Sequence, residues 1–220
     1  MDQRSVKNPT VLIKKGAEAN LYLEEWHGKK VIMKKRLPKP YRLPQLDLAI
    51  RTQRTIHEPT LIHRAKEAGV PTPTIYMIDL AESNIIMEHI QGKQVKQVLN
   101  RMPTKSQLQL CRQIGNLIGR LHKNGIIHGD LTTSNMILTA SGKVVFVDFG
   151  LGENSEELEI RGVDLHLMKR ALQSTHYRIA KKCFEAVTRG YTETIGEETA
   201  IKVLEKIREI ERRGRYIEER

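Results

Sequence analysis

Strand-length apolar runs fill the first part of the chain: Val11-Leu12-Ile13, Leu21-Tyr22-Leu23 and Val31-Ile32-Met33, with His27-Gly28 as a turn before the third. Runs this short, bounded by turn residues, predict an antiparallel meander. From Asp47 the apolar positions recur at helical spacing to Ala68, and Gly69, Pro71 and Pro73 end that helix because proline blocks its continuation. Ile75 to Ile78 and Asn84 to Met87 predict two more strands, and after Gly92 the pattern turns helical.

Thr104 and Gln107 have the spacing of a capping box and predict the start of a helix, whose apolar stripe runs through Leu110, Ile114, Leu117 and Leu121 until Gly125 stops it. Met136 to Leu138 and Val144 to Val147 flank Ala140-Ser141-Gly142-Lys143, the pattern of a small buried hairpin. Everything after Arg161 reads as helix, and from about Lys206 to Arg220 the helix is charge-rich and basic, a segment expected to fray or extend as a tail. No internal repeat and no low-complexity linker interrupts the chain. The expected class is α+β: one domain over residues 1–220, with a strand-rich part over about 1–90 and a helical part over about 91–220.

Hydrophobic residues make up 39% and charged residues 29% of the 220-residue chain, which is too apolar for a disordered protein. No apolar run approaches the ~20 residues that span a bilayer, and Met1 to Asn8 lacks the apolar centre of a signal peptide. A cytoplasmic protein without a membrane span is expected. Cys111 and Cys183 lie far apart in sequence within apolar helical patterns and read as core rather than as a disulfide or a zinc site.

Charge adds a candidate partner, since 37 Lys and Arg against 26 Asp and Glu leave a net +11. Lys29, Lys30, Lys34, Lys35, Arg36, Lys39 and Arg42 fall in a stretch without any acid. Such a cluster either attracts a polyanion such as RNA or forms a solvated face, and composition does not choose between them. An RNA-facing role for Lys39 and Arg42 is one expectation; a docking or internal structural role for the Lys39 to Asp47 segment is the other.

The strongest chemical signal is His128-Gly129-Asp130-Leu131-Thr132-Thr133-Ser134-Asn135, followed after the hairpin by Asp148-Phe149-Gly150. The two motifs, in this order and at this spacing, resemble a kinase catalytic loop and its metal-binding sequence. An Asp that meets the attacking hydroxyl and an Asn five residues on can face one phosphate site from a single loop, and a second Asp arrives from the neighbouring hairpin. Mg²⁺ prefers oxygen ligands and keeps several waters, so Asn135 and Asp148 are the candidate metal ligands for a Mg²⁺-ATP complex, leaving Asp130 for the nucleophile. The implied fold is a two-lobed protein-kinase-like one, with a small antiparallel-sheet N-lobe and a reduced helical C-lobe.

A kinase also needs a strand lysine for the phosphates and a helix glutamate to orient it. Lys34 ends Val31-Ile32-Met33-Lys34, and Lys35 would point to the opposite face. Glu58 is the candidate glutamate, although Pro59 directly after it predicts a kink or a helix restart that would leave its direction open. The candidate phosphate turn is Gly16-Ala17-Glu18-Ala19, where only one glycine of the usual three remains and Glu18 would repel a triphosphate unless a cation intervenes. Met87, Glu88 and His89 are candidate adenine neighbours at the interlobe hinge, with Ile32 above and Ile137 below; ordinary core packing explains these apolar positions as well.

Further marks are Lys14 to Ala19, Lys34-Lys35-Arg36 followed by Lys39, Tyr41-Arg42, Pro44 and Leu46-Asp47, then Gly69-Val70-Pro71 with Pro73, Asp148 to Leu151, Val163-Asp164-Leu165 and Ser174-Thr175-His176. Together with the catalytic loop, these cover nearly the whole chain, which resembles the small atypical kinase of the KEOPS complex, the PRPK family, a relative of the RIO kinases. Pro59 is the departure. The resemblance implies an ATPase and serine/threonine kinase that partners the threonylcarbamoyl transferase and other KEOPS subunits in modifying tRNA. Only residues 151–163 separate Gly150 from Asp164, too few for the peptide-binding platform of a conventional protein kinase, and Gly129 replaces the usual arginine. The alternatives are a small-molecule kinase of the aminoglycoside or choline type, for which the 70 residues after Gly150 leave little pocket sequence, and a nucleotide- or RNA-binding scaffold without turnover.

Overall fold

A computed structural model describes residues 10–218, with side chains through residue 213; Met1 to Asn8 and the Arg215 side chain therefore lie outside the described residues. The chain forms two compact units, one of residues up to 63 with 73–90, the other of 64–72 with the residues from 91 onward. The sequence passes from the strand-rich to the helical part near residue 90, but the last turn of the first helix and the loop after it group with the second unit.

In the first unit, β1 (Val11–Lys15), β2 (Asn20–Trp26), β3 (Lys29–Lys35), β4 (Ile75–Asp79) and β5 (Asn84–Glu88) form one sheet in the order β1-β2-β3-β5-β4, with every neighbouring pair antiparallel. The central position of β3 follows from its apolar centre, and Val31 is fully buried. Period-two alternation separates its lysines. Lys34 is buried, while the Lys35 side chain is one-third exposed and pairs with Glu82 at 3.1 Å. The expected helix is α1 (Pro44–Glu67), which starts three residues earlier than its apolar pattern, with Pro44 at the first position where a missing N–H costs nothing.

The expected restart at Pro59 does not occur, because Pro59 lies inside an unbroken α1. A proline in a helix forfeits one N–H and crowds the preceding turn. Here Glu58 is anchored on one side, and Leu61, Ile62 and Ala65 are buried on the other, so packing outweighs that cost.

The second unit opens with β6 (Lys93–Gln94), α2 (Val95–Val98) and a 3-10 turn (Leu99–Arg101), then α3 (Thr104–Lys123), β7 (Ile126–Ile127), β8 (Met136–Leu138), β9 (Val144–Phe146) and β10 (Glu153–Asn154). Three helices close it: α4 (Leu158–Thr175), α5 (Ala180–Ile195) and α6 (Glu197–Glu218). The hairpin is antiparallel, with Met136 opposite Phe146, and β6 extends it to three strands. The α3 stripe is buried as its spacing predicts. Its capping box does not form: Pro103 holds the cap position without a side-chain bond, and Gln107 instead donates to the Leu99 carbonyl at 3.0 Å.

Helices α3 and α5 pack tightly because their facing positions carry glycine; a Cβ on Gly115 would come within 1.9 Å of the Val187 carbonyl oxygen. Cys111 on α3 and Cys183 on α5 are both fully buried, and their sulfurs are hydrogen-bonded neighbours, which with burial holds the Cys111 thiol up in pKa. The basic end of the chain continues α6, in which Lys206 bonds Glu209, Lys169 bonds Glu211, and Arg213 reaches Glu159. Among the described residues no helix is long and apolar enough to cross a membrane.

Candidate active site

In the first unit, Lys34 Nζ lies 2.7 Å from Glu58 Oε1, and both side chains are buried. Sequence reasoning paired these two but missed the third member. Arg36 points to the same face of the β3 edge two residues on, and its Nη2 lies 2.5 Å from Glu58 Oε2 with only 3% of its side chain exposed. Glu58 thus divides its two oxygens between two cations. Leaving a carboxylate this buried with no cation at all would cost about 3–5 kcal/mol. The signal for Arg36 was its period-two spacing from Lys34.

The β1–β2 turn carries Gly16 to Ala19, closed by the Gly16 N–H bond to the Ala19 carbonyl at 3.1 Å. Lys39 Nζ donates to the Ala17 carbonyl, and Glu18 is gripped by Arg54 and, at 3.7 Å, by Arg42. Two arginines therefore answer the repulsion that Glu18 would offer a triphosphate. Arg42 also reaches Asp47 at 3.5 Å, and Arg51 bonds the same carboxylate at 2.7 Å and Ser83 at 2.8 Å. The Arg51 hydrogen bond, outweighing burial, holds the Asp47 carboxyl below its usual range. Ile32 and Met87 are direct cross-strand partners, Glu88 accepts the Thr74 N–H at 3.0 Å, and His89 is half-buried.

This network favours the internal structural role for the basic cluster over a free RNA-facing surface. Lys34, Lys35, Arg36, Lys39 and Arg42 each bond an acid or a carbonyl supplied from elsewhere in the unit, and Lys29 stands 5.7 Å over the Tyr76 ring. The stretch lacks acids of its own because Glu18, Asp47, Glu58 and Glu82 come to it in the fold.

In the second unit the candidate catalytic loop is held by its backbone. The Asp164 carboxylate on α4 accepts the N–H of His128 and of Gly129, each at 2.9 Å. His122 Nε2 lies 3.1 Å from the same carboxylate, and the Tyr191 hydroxyl lies 3.0 Å from His122 Nδ1; all three side chains are buried. Burial raises the Tyr191 pKa and keeps this phenol a donor. Gly129 adopts φ +77°, and a Cβ there would meet the Leu151 carbonyl oxygen at 2.0 Å, so the loop admits no larger residue. That is the steric reason for glycine where a protein kinase carries arginine.

His128 accepts the Asp130 N–H on Nδ1 at 3.3 Å and donates from Nε2 to the Val147 carbonyl at 3.2 Å, which defines a neutral imidazole. Burial lowers its pKa against the opposing pull of Asp164, Asp148 and Asp130. Asn135 turns its amide nitrogen to Asp130, bonding Oδ2 at 2.7 Å and the carbonyl at 3.1 Å. Its backbone carbonyl accepts the Val147 N–H at 2.9 Å, which brings the Asp148 backbone alongside Asn135. Asp148 itself takes φ +65°, a strained conformation for a non-glycine residue of the kind that gathers at functional sites. A second histidine supports the loop from outside: His176 Nε2 is 3.0 Å from the Thr133 hydroxyl, and its Nδ1 is 2.8 Å from Asn100 Oδ1. Ile137, on β8, is half-buried opposite Val145.

The donor chemistry fits a shared metal rather than a protein cage. Among the described residues no group of three or more His, Cys, Asp or Glu side chains converges as a metal site. An amide oxygen on Asn135 and a carboxylate on Asp148 are the hard ligands that Mg²⁺ takes when phosphates and waters complete its shell.

Known proteins resemble this chain along most of its length. Residues 10–191 match the lipopolysaccharide kinase (Kdo/WaaP) family. The chain is 50% identical to the KEOPS complex subunit Bud32 of Pyrococcus abyssi over 213 residues, covering 94% of this chain and 96% of that one. It is 44% identical to a probable bifunctional tRNA threonylcarbamoyladenosine biosynthesis protein of Methanothermobacter thermautotrophicus, with 97% of this chain matched but only 38% of that longer protein. Among solved structures, the Rio2 kinase of Chaetomium thermophilum in complex with ADP, Mg²⁺ and phosphoaspartate superposes with a TM-score of 0.63 at 17% identity, covering 89% of this chain and 69% of that one. The fold is thus kinase-like, with an antiparallel sheet followed by helices. By the identity and extent of these matches, the chain belongs to the kinase-like family of the KEOPS complex subunit Bud32.

Proposed function

We propose that this chain is an ATP-dependent phosphotransferase and ATPase, an atypical serine/threonine kinase, that works as a subunit of a cytoplasmic KEOPS complex in the threonylcarbamoyladenosine modification of tRNA. The observation that carries the chemical part is the loop in which Asn135 bonds the Asp130 carboxylate at 2.7 Å while its carbonyl ties the strand leading into Asp148. Asn135 and Asp148 would hold Mg²⁺, which when bound neutralises phosphate charge. Asp130 orients the attacking hydroxyl, from water or from a protein serine, and accepts its proton. Lys34 meets the phosphates, Gly16 to Ala19 close over them, and Ile32, Ile137 and residues Met87 to His89 receive the adenine.

The assembly part rests on the relatives' names, one a KEOPS subunit and the other a tRNA threonylcarbamoyladenosine biosynthesis protein. Those names favour this reading over a small-molecule kinase. The threonylcarbamoyl transferase subunit is the proposed direct partner, with tRNA reached through the complex.

Two variants test the chemistry. Asp148→Ala should weaken Mg²⁺-ATP binding and turnover together, whereas Asp130→Ala should abolish turnover with nucleotide affinity kept. Equal loss of affinity in both would overturn the assignment. Co-purification with a threonylcarbamoyl transferase and tRNA, followed by an ATPase assay of that assembly, tests the rest.

A further inference from the structure

The Lys34–Glu58 pair of a kinase is ordinarily a switch: it forms when the helix bearing the glutamate docks and breaks when that helix swings away. In this chain the glutamate has a second partner. Lys34 on β3 and Arg36, just past the end of that strand, bind opposite oxygens of Glu58 at 2.7 and 2.5 Å. Arg36 is tied further, its N–H bonding the Ser83 carbonyl at 3.1 Å and its Nη2 reaching the Arg54 carbonyl one turn earlier on α1 at 3.5 Å. An arginine is always charged, and Arg36 is 3% exposed, so undocking α1 would strand both a buried guanidinium and a buried carboxylate.

We propose that Arg36 is a positioning residue that latches Glu58 permanently to the end of β3, so that α1 stays docked with or without nucleotide when Lys34 leaves Glu58 for the phosphates. The inference rests on the phosphotransferase reading for the role of Lys34, but the latch itself is a property of the first unit. Two consequences distinguish it from an ordinary pair. When Lys34 turns to a phosphate, Glu58 is not left bare, because Arg36 still neutralises it. Without Arg36, Lys34 becomes the sole cation on Glu58, and nucleotide binding has to break that buried pair.

A double-mutant cycle on the full chain tests this, read as thermal unfolding without nucleotide and as KM and kcat for ATP well below the lowest Tm. Lys34→Ala should shift Tm by no more than about 2 °C, because Arg36 keeps Glu58 paired. Arg36→Gln should lower Tm and raise the KM for ATP about tenfold with kcat within about twofold, a split that mere loosening of the fold would not produce. Arg36→Lys should restore the KM. The double variant should lose more Tm than the sum of the single losses, and adding Glu58→Gln should recover it by removing the bare charge.

An unchanged KM in folded Arg36→Gln, or an additive Tm cycle, would overturn the latch, as would failure of Glu58→Gln to rescue a double variant that does not fold. If the wild-type chain neither binds nor turns over Mg²⁺-ATP, the phosphotransferase reading falls, and the Tm cycle then decides the latch by itself.

Discussion

The Tyr191 hydroxyl lies 3.0 Å from His122 Nδ1, and that contact holds the imidazole from the side opposite Nε2, which is 3.1 Å from Asp164. Asp164 in turn accepts the backbone N–H groups of His128 and Gly129. A helix near the end of the chain thereby sets the loop that presents Asp130. Tyr191→Phe releases one side of the His122 ring and should lower ATP turnover about three- to tenfold with nucleotide affinity kept, since the loop's aim matters most in the transition state. Steady-state kinetics beside a nucleotide-binding assay check this; a loss of affinity equal to the loss of kcat would count against it.

Stability should fall on the acid side. Burial lowers the pKa of His128, His166 and His176 from an ordinary value of 6.5, with Lys96 adding to the effect at His176. The unfolded chain therefore binds protons that the folded chain resists. Their contribution is fully present above about pH 6.5 and is lost as pH falls below it toward the folded-state values. Thermal unfolding between pH 7.5 and 5 should show Tm dropping over that window, and His176→Gln should flatten the slope. A Tm constant across the window would contradict the lowered pKa values of these rings.

The fold was legible where one residue type settles the local geometry. The five strands and α1 follow from apolar runs and from Gly69, Pro71 and Pro73, and the hairpin Met136 to Phe146 from the two short apolar runs that flank Ser141-Gly142. The two-residue strands β7 and β10 were not legible, because a pair held by Ile127 opposite Glu153 has no period to detect. The same limit governs the site. The catalytic loop carries its own spacing, but the acids that occupy Arg36, Arg42 and Arg54 arrive from segments far along the chain, so a local count of cations overstated the free charge. Pro59 misled for a related reason: propensity is local, and the buried anchors on either side of it are tertiary.

Because α1 runs unbroken through Pro59 and Glu58 already bonds both cations, Pro59→Ala has no misdirected glutamate to repair. The KM for ATP should stay within about twofold of the wild type. Tm should hold or rise, since alanine regains a helix N–H at the expense of some buried ring surface. Kinetics and thermal unfolding of this variant suffice. A large loss of activity with the fold intact would mean that the proline shapes the site directly.

Reversing the charge of Lys39 and Arg42 distinguishes an internal clasp from an RNA-facing surface. Lys39 holds the Ala17 carbonyl and Arg42 reaches Glu18, so both act on the turn proposed to close over the phosphates. Lys30, at the start of β3, is exposed and serves as the control. Replacing Lys39 and Arg42 with Glu should place two new acids against Glu18 and Asp47, lower the Tm of the isolated chain, and raise its KM for ATP by about tenfold or more. Lys30→Glu should leave both unchanged. If RNA contact were the main role, the pattern would reverse: the isolated chain would be unaffected, while tRNA affinity of the intact complex would fall and its salt dependence flatten, because fewer counterions are released. Thermal unfolding and ATP kinetics of the isolated chain, set beside tRNA binding by the complex across a salt series, decide between the two. An undisturbed isolated chain with weakened tRNA binding would return the cluster to the RNA-facing role.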